Sequence, residues 1–306
     1  MSIVDDENEW SNMKKKTAIC IALTFAIAIC VGCGKDEQID TKDIVLQNDL
    51  GTYTSAQIVM PKEFDGKMPL VTIGHGYKGT MNSGGAKELA QRLAAEGIAT
   101  IRMNYNHYTT KDMSETTNRY TLNTMIKDQL LCIDYMCKNY SIDNEKIGLY
   151  ARSMGGRAAM TMANENIGGY NYKAIALVAP AGNKDAMEYY MGGKDKWTNM
   201  KEQAKKNGFI LHQGIELTEE WFTEFEEYNP AANGYKFNNQ VLVIYNTLDN
   251  VVTAHTSKEC ARGYKNVETV QVTTDNGHGY EMSYEDSEIK EELMNKIVDF
   301  FKRMSE

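Results

Sequence analysis

Nine residues constrain this chain more than any others: Gly148-Leu149-Tyr150-Ala151-Arg152-Ser153-Met154-Gly155-Gly156. They set a lone serine between an apolar run and a run of small residues. Residues 147–150 read as the end of a buried strand, and residues 154–164 (MGGRAAMTMAN) as a helix opening. A chain that passes from strand to helix in so little space must turn sharply. A serine at that turn sits on a strained backbone, so no large residue can crowd it from two positions away. The pattern usually written G-x-S-x-G meets this need. Here it is Ala151-Arg152-Ser153-Met154-Gly155, and alanine, the smallest residue with a Cβ, is a mild departure. Taken alone, the same residues also describe an ordinary helix start, where serine is a favoured cap.

The rest of the chain supplies what such a serine needs. A hydroxyl is a weak nucleophile unless a base takes its proton and donors hold the developing oxyanion. Leu70-Val71-Thr72-Ile73 reads as a short strand that ends in Gly74-His75-Gly76-Tyr77. A glycine-flanked turn of that kind lets a backbone N–H point into a cleft. Residues 241–245 form a third apolar run, followed by Asn246-Thr247-Leu248-Asp249-Asn250. Residues 269–273 (TVQVT) read as a fourth strand, rich in β-branched residues, followed by Asn276-Gly277-His278-Gly279. Nucleophile, acid and base thus follow separate strands in the order Ser, Asp, His, an order that separates this pattern from the two other main serine-triad arrangements.

With these four loops the chain resembles the α/β-hydrolase superfamily. Within it the chain is similar to small bacterial carboxylesterases, of the cinnamoyl and feruloyl esterase kind, and to serine aminopeptidase-like hydrolases. The resemblance covers roughly residues 43–304. It implies Ser153 as nucleophile, His278 as base and Asp249 as acid, with the backbone N–H groups of Tyr77 and Met154 as the oxyanion hole. It implies hydrolysis of a small-molecule carboxylic ester through an acyl-enzyme, with no metal or organic cofactor. Asp275 stands too close to His278 in sequence to orient its imidazole, so Asp249 is the better acid.

Strands alternating with helices imply an α/β fold, with a mostly parallel central sheet and helices on both faces. Antiparallel edge strands are expected at 44–48 and 53–60, a strand at 99–103 and another at 174–178. Helices are expected at 86–95, 122–140 and 287–304, and a polar loop at 104–117. Residues 181–234 are too long for one crossover and read as a cap insertion. It lies at the carboxyl ends of strands, where ligands bind in open α/β sheets. Trp197, Trp221 and Phe222 are then expected to line the substrate pocket. The alternative is a surface excursion that packs those aromatics into a small core of its own. His75 is expected to order the oxyanion turn beside the substrate, and Arg152 either to line the pocket or to pair with an acid. His107, His212 and His255 have no partner pattern and read as surface residues.

The 306 residues suit one such domain, 43–306, with its insertion. A net charge of -9 with no basic cluster beyond the N-terminal segment argues against a nucleic-acid partner. Residues 1–32 read as a signal peptide, with Lys14, Lys15 and Lys16 before an apolar run at 17–31. Residues 1–12 are acidic, so Met13 is the expected start. Gly32-Cys33 resembles a lipoprotein cleavage site, although Cys30 stands where leucine is usual. Cys33 would carry lipid and anchor the protein to the outer face of the bacterial cytoplasmic membrane, with 33–42 as a tether. A plain secretory signal or an uncleaved anchor is the alternative. Cys132, Cys137 and Cys260 are an odd set with no disulfide spacing. Two further functions stay open. One is a peptidase or thioesterase on the same triad, for which Glu188, Glu216, Glu219 and Glu220 could receive an amino terminus. The other is a non-catalytic, ligand-binding lipoprotein, against which the complete set of site residues argues.

Overall fold

The strands at the centre of the sheet are rich in apolar residues because both sheet faces are covered. In the computed structural model, which describes residues 38–304 apart from Leu50, Asn106, Asn118 and Tyr120, β3 (Met68–Gly74) and β4 (Ala99–Met103) are buried at every position. The expected signal segment and Cys33 lie outside the described residues. The same buried character holds through residues 147–151 of β7 (Ile142–Arg152) and most of β8 (Tyr172–Val178) and β11 (Gln240–Asn246). With β12 (Val267–Val272) these six strands are parallel, in the spatial order β12-β11-β8-β7-β3-β4.

The other edge is antiparallel. β2 (Tyr53–Pro61) pairs with β4, and β1 (Ile39–Gln47) pairs with β2 without a break from Ile39↔Pro61 to Gln47↔Tyr53. The first strand therefore starts at Ile39 rather than near 44, and residues 39–42 are strand rather than tether. The run Asp40-Thr41-Lys42-Asp43 concealed it, because this end of the strand keeps its polar side chains in solvent. The expected polar loop at 104–117 contains two further short strands, β5 (His107–Tyr108) and β6 (Thr116–Thr117).

Helices α1 (Ala86–Ala95) and α8 (Glu288–Lys302) pack together, as do α2 (Leu122–Asn139) and α3 (Met154–Asn164). α2 opens with a capping box in which Thr121 and Thr124 satisfy each other's backbone N–H groups. α7 (Ala254–Arg262) follows the acid loop and packs on β11. His107 is not at the surface: it is buried, 2.7 Å from the carboxylate of Asp128, which also accepts a hydrogen bond from Thr54 at 3.0 Å. Among the described cysteines, Cys132 and Cys260 are buried free thiols, and Cys137 is half-buried.

The insertion folds as α4 (Lys184–Tyr190), α5 (Lys194–Asn207), a hairpin of β9 (Ile210–His212) and β10 (Ile215–Leu217), and α6 (Glu219–Glu227). Two buried ionisable side chains fasten it to the main domain through backbone groups. Arg157 on α3 donates to the carbonyls of Gly182 at 3.0 Å and Glu224 at 2.8 Å, and to that of Tyr228. The Glu224 carboxylate accepts from the N–H groups of Leu122 at 2.7 Å and Asn123 at 3.1 Å, at the start of α2. A carboxylate at a helix N-terminus meets both unsatisfied donors and the positive end of the helix dipole.

Candidate active site

The register of the sheet brings the expected loops together. β7 lies beside β3 with Ala151 opposite Gly74, so the serine turn and the oxyanion turn leave adjacent strand ends. β11 lies beside β12 with Asn246 opposite Val272, so the acid and histidine loops leave another adjacent pair.

Ser153 sits between β7 and α3 with φ 51 and ψ -123, outside the regions that L-residues normally populate. Such strain persists only where the surroundings enforce it. The enforcement is visible in the backbone. The Ser153 N–H donates to Val178 O at 2.9 Å, and the Ser153 carbonyl accepts from Gly156 at 2.9 Å and Ala181 at 3.1 Å. Glycines allow the close approach around it. A Cβ on Gly155 would lie 2.3 Å from the His75 carbonyl oxygen, and one on Gly76 would lie 2.8 Å from Ser153 Cβ. This elbow in the chain thus has the strained, glycine-lined backbone expected at Ser153 and is not merely a capped helix start.

His278 Nδ1 lies 2.7 Å from Asp249 Oδ2. The Asp249 side chain is fully buried, and its other oxygen accepts from the N–H groups of Val251 and Val252, both at 2.9 Å. Tyr280 completes the set: its hydroxyl donates to Asp249 Oδ2 at 3.2 Å and accepts from the Asn246 N–H at 2.8 Å. A carboxylate so held can orient the imidazole and stabilise its cationic form without taking its proton. Asp275 is exposed, whereas Asp249 holds the histidine. Ser153 and His278 open on one cavity of about 260 Å³.

The oxyanion turn is set by His75. This ring is buried, and its Nε2 accepts from the Tyr105 N–H at 3.1 Å, so Nδ1 carries the hydrogen and donates to Gly76 O at 2.7 Å. Burial drives its pKa down to about 4, against a smaller upward pull from the Gly76 bond, and keeps it neutral. In a trans peptide the carbonyl and the next N–H point in opposite directions. Holding Gly76 O therefore fixes the direction of the Tyr77 N–H. His75 orders the loop and also lines the cavity. Met154, the other expected donor, is the first residue of α3, where a backbone N–H has no acceptor within the helix.

Arg152 lines the cavity and donates through Nη2 to the carbonyls of His278 at 2.9 Å and Gly279 at 3.4 Å, with its head over the Tyr280 ring. It ties the histidine loop to the elbow and pairs with no helix acid among the described residues.

Trp197, Trp221 and Phe222 do not line this cavity. Each is at most 1 % exposed, and their rings lie within 5.5 Å of one another, centroid to centroid. Their place is the insertion's own core, because aromatic side chains this large gain most from burial against one another. What the insertion offers the site instead is a clamp on the oxyanion loop. The Tyr77 hydroxyl donates to the His212 carbonyl at 3.1 Å and bonds His212 Nδ1 at 2.8 Å, while Lys78 Nζ donates to Gln213 at 3.0 Å. His212, read from the sequence as a surface residue, is half-buried against Tyr77, and Tyr280 is a part of the site that the sequence reading passed over. Tyr280 closes the Asn276-Gly277-His278-Gly279-Tyr280 run but was given no role there, and His212 belongs to no motif; their contacts in space reveal both.

The family model of the prolyl oligopeptidase family matches residues 90–306, more than two thirds of the chain. Among solved structures, Est1E from Butyrivibrio proteoclasticus superposes with a TM-score of 0.66 at 20% identity, over 86% of this chain and 98% of that one. A second structure of that protein, with ferulic acid bound, matches at 22% identity and a TM-score of 0.66, over 85% of this chain and 98% of that one. An acetyl xylan esterase from Paenibacillus sp. R4 gives a TM-score of 0.66 at 17% identity, over 97% of this chain and 94% of that one. No curated protein sequence matches the chain. The structural likenesses show the α/β-hydrolase fold, and the family match shows that this chain belongs to the prolyl oligopeptidase family.

Proposed function

We propose that the protein is a serine hydrolase that cleaves small carboxylic esters. The observation that carries this is the Asp249–His278 pair opening, with Ser153, on one cavity beside the oxyanion turn. His278 takes the Ser153 proton as Oγ bonds the ester carbonyl carbon. The Tyr77 and Met154 N–H groups hold the oxyanion, each donor contributing roughly 3 kcal/mol in comparable sites. The carbon–oxygen bond to the alcohol breaks, and His278 returns the proton to the departing alcohol. Water, activated by His278, then releases the acid and restores Ser153.

An ester is favoured over a peptide amino terminus because, among the described residues, no carboxylate lines the cavity. Three of the glutamates that might have received an amine are paired elsewhere: Glu188 with Lys184, Glu216 with Arg119 and Glu219 with Lys205. The neighbour named as an acetyl xylan esterase, and the structure of Est1E with ferulic acid bound, support this choice.

The test is a panel of p-nitrophenyl acyl esters, methyl hydroxycinnamates and aminoacyl amides, with fluorophosphonate labelling of wild type and Ser153→Ala. Esters should be turned over and amides not. The alanine variant should lose labelling and nearly all activity. Turnover of aminoacyl amides alone would replace this reading with the peptidase one.

The Lys-rich start, the short apolar run and Gly32-Cys33 support export and lipid anchoring through Cys33. In a bacterial host the protein should partition into detergent and Cys33→Ser should impair its processing. Wild-type protein found wholly in the medium would indicate a plain secretory signal.

A further inference from the structure

The catalytic cavity is lined by two cations, Lys78 and Arg152, and by no aspartate or glutamate among the described residues. That is the opposite of the chain as a whole, in which 42 acidic residues outnumber 33 basic ones. Arg152 is the more telling of the two. The chain's other half-buried or exposed arginines among the described residues pair with carboxylates: Arg92 with Glu88 and Glu291, Arg119 with Glu216, Arg262 with Glu259, and Arg303 with Glu268. Arg102 and Arg157 have no such partner, but both are buried and neither lines the cavity. Arg152 is half-buried at the cavity wall, and its hydrogen-bond acceptors among the described residues are the two neutral carbonyls of the histidine loop, both reached through Nη2. A guanidinium carries five donors, so those on Nε and Nη1 remain. Gly84 makes room for the head: a Cβ there would lie 1.8 Å from Arg152 Nη1. Thr80 and Ser83 add hydroxyls to the same wall.

A planar guanidinium beside an ammonium and two hydroxyls, in a cavity that no carboxylate lines among the described residues, is a site for a carboxylate. Resting on the esterase reading above, we propose that the preferred substrates are esters that carry a free carboxylate close to the scissile bond, recognised by Arg152 with Lys78.

Two matched pairs test this. In one the anion lies on the acyl side: mono-p-nitrophenyl glutarate against p-nitrophenyl pentanoate. In the other it lies on the alcohol side: 4-acetoxybenzoate against phenyl acetate, with 4-acetoxybenzamide controlling for ring electronics. The readout is the anionic-to-neutral ratio of kcat/KM, because Arg152 also steadies the histidine loop and its loss should lower both members of a pair. In at least one pair, wild type should favour the anion about tenfold or more. Arg152→Gln should remove most of that preference, Lys78→Gln part of it, and Arg152→Lys should keep more than Arg152→Gln. Added salt should shrink the preference. Neutral esters turned over with no anionic preference in either pair, or a preference untouched by Arg152→Gln and Lys78→Gln, would overturn this inference and leave the esterase reading standing. No turnover of any ester beyond that of Ser153→Ala would overturn both.

Discussion

The elbow at 151–156 and the insertion at 181–234 both border the active site, yet they are specified in different ways. At the elbow the backbone does the positioning. Ser153 is held at φ 51 by three main-chain hydrogen bonds, and Gly76 and Gly155 permit contacts that a Cβ would close. Few alternatives satisfy those contacts, so local residue types announce the turn. In the insertion, side chains do the positioning. A cluster of Trp197, Trp221, Phe222 and Phe225 forms its core, and it reaches the site through Tyr77, His212, Lys78 and Gln213. Aromatic residues between charges look alike whether they face a ligand or one another. Pattern therefore reads well where the backbone is forced, and poorly where packing decides.

The largest effect expected from breaking this contrast lies on the catalytic side. Asp249→Asn removes the charge that selects the His278 tautomer while keeping side-chain volume. Turnover of a neutral ester should fall by about 10⁴-fold, the scale seen for the equivalent change in other triads. Melting temperature should change little by comparison. Asp275→Asn, at an exposed position, should alter turnover less than about threefold, since surface changes away from a site are usually near neutral. Steady-state kinetics of the two variants side by side decides the assignment, and the reverse ranking would move the acid to Asp275.

In the insertion the expected effect is on stability and not on preference among esters. Trp221 is 1 % exposed and touches Trp197, Phe222 and Phe225. Trp221→Ala should cost about 3–5 kcal/mol of unfolding free energy, as for other large-to-small core changes. Because Trp221 also lies against the Tyr77 ring, with centroids 6.4 Å apart, kcat should drop for short and aromatic esters alike. Denaturant unfolding and the ratio of kcat/KM for two neutral esters check this. A changed ratio at unchanged stability would put Trp221 in the pocket, as its sequence context suggested.

The same contrast explains what the sequence disclosed. The parallel strands, the elbow and the Asp249 and His278 loops were legible because each is a contiguous run of residues with one physical requirement. The start of β1 was not, since Asp40, Thr41 and Lys42 are polar and largely solvent-facing although paired. His107 was read as a surface residue because its partner, Asp128, is 21 residues away on α2. His212 was read as a surface residue and the role of Tyr280 was missed for a similar reason: each reaches the site by a contact with a distant loop, 135 and 31 residues away.

The smallest effect expected concerns the joint between the two regions. Glu224 leaves the insertion to cap α2, and its carboxyl is buried against the N–H groups of Leu122 and Asn123. Burial raises its pKa from 4.5 to about 7; the two backbone hydrogen bonds and Arg157 oppose the rise, and Glu220 adds to it. Between about 4.5 and 7 the folded protein therefore holds a proton that the unfolded chain has released. With more protons bound in the native state, stability falls as pH rises through that window and levels off above it. A glutamine in place of Glu224 would not titrate, and its amide oxygen would still accept a backbone hydrogen bond. The stability of wild type minus that of Glu224→Gln should thus decline from pH 5 to pH 8, by on the order of 1–3 kcal/mol. Taking the difference removes every other titrating group common to both proteins. Urea unfolding at four or five pH values measures it. A difference that is flat, or that rises with pH, would mean that the helix N-terminus outweighs burial and keeps Glu224 ionised. In that case the joint is fastened by charge, and its contribution should instead weaken as the carboxylate is protonated in acid.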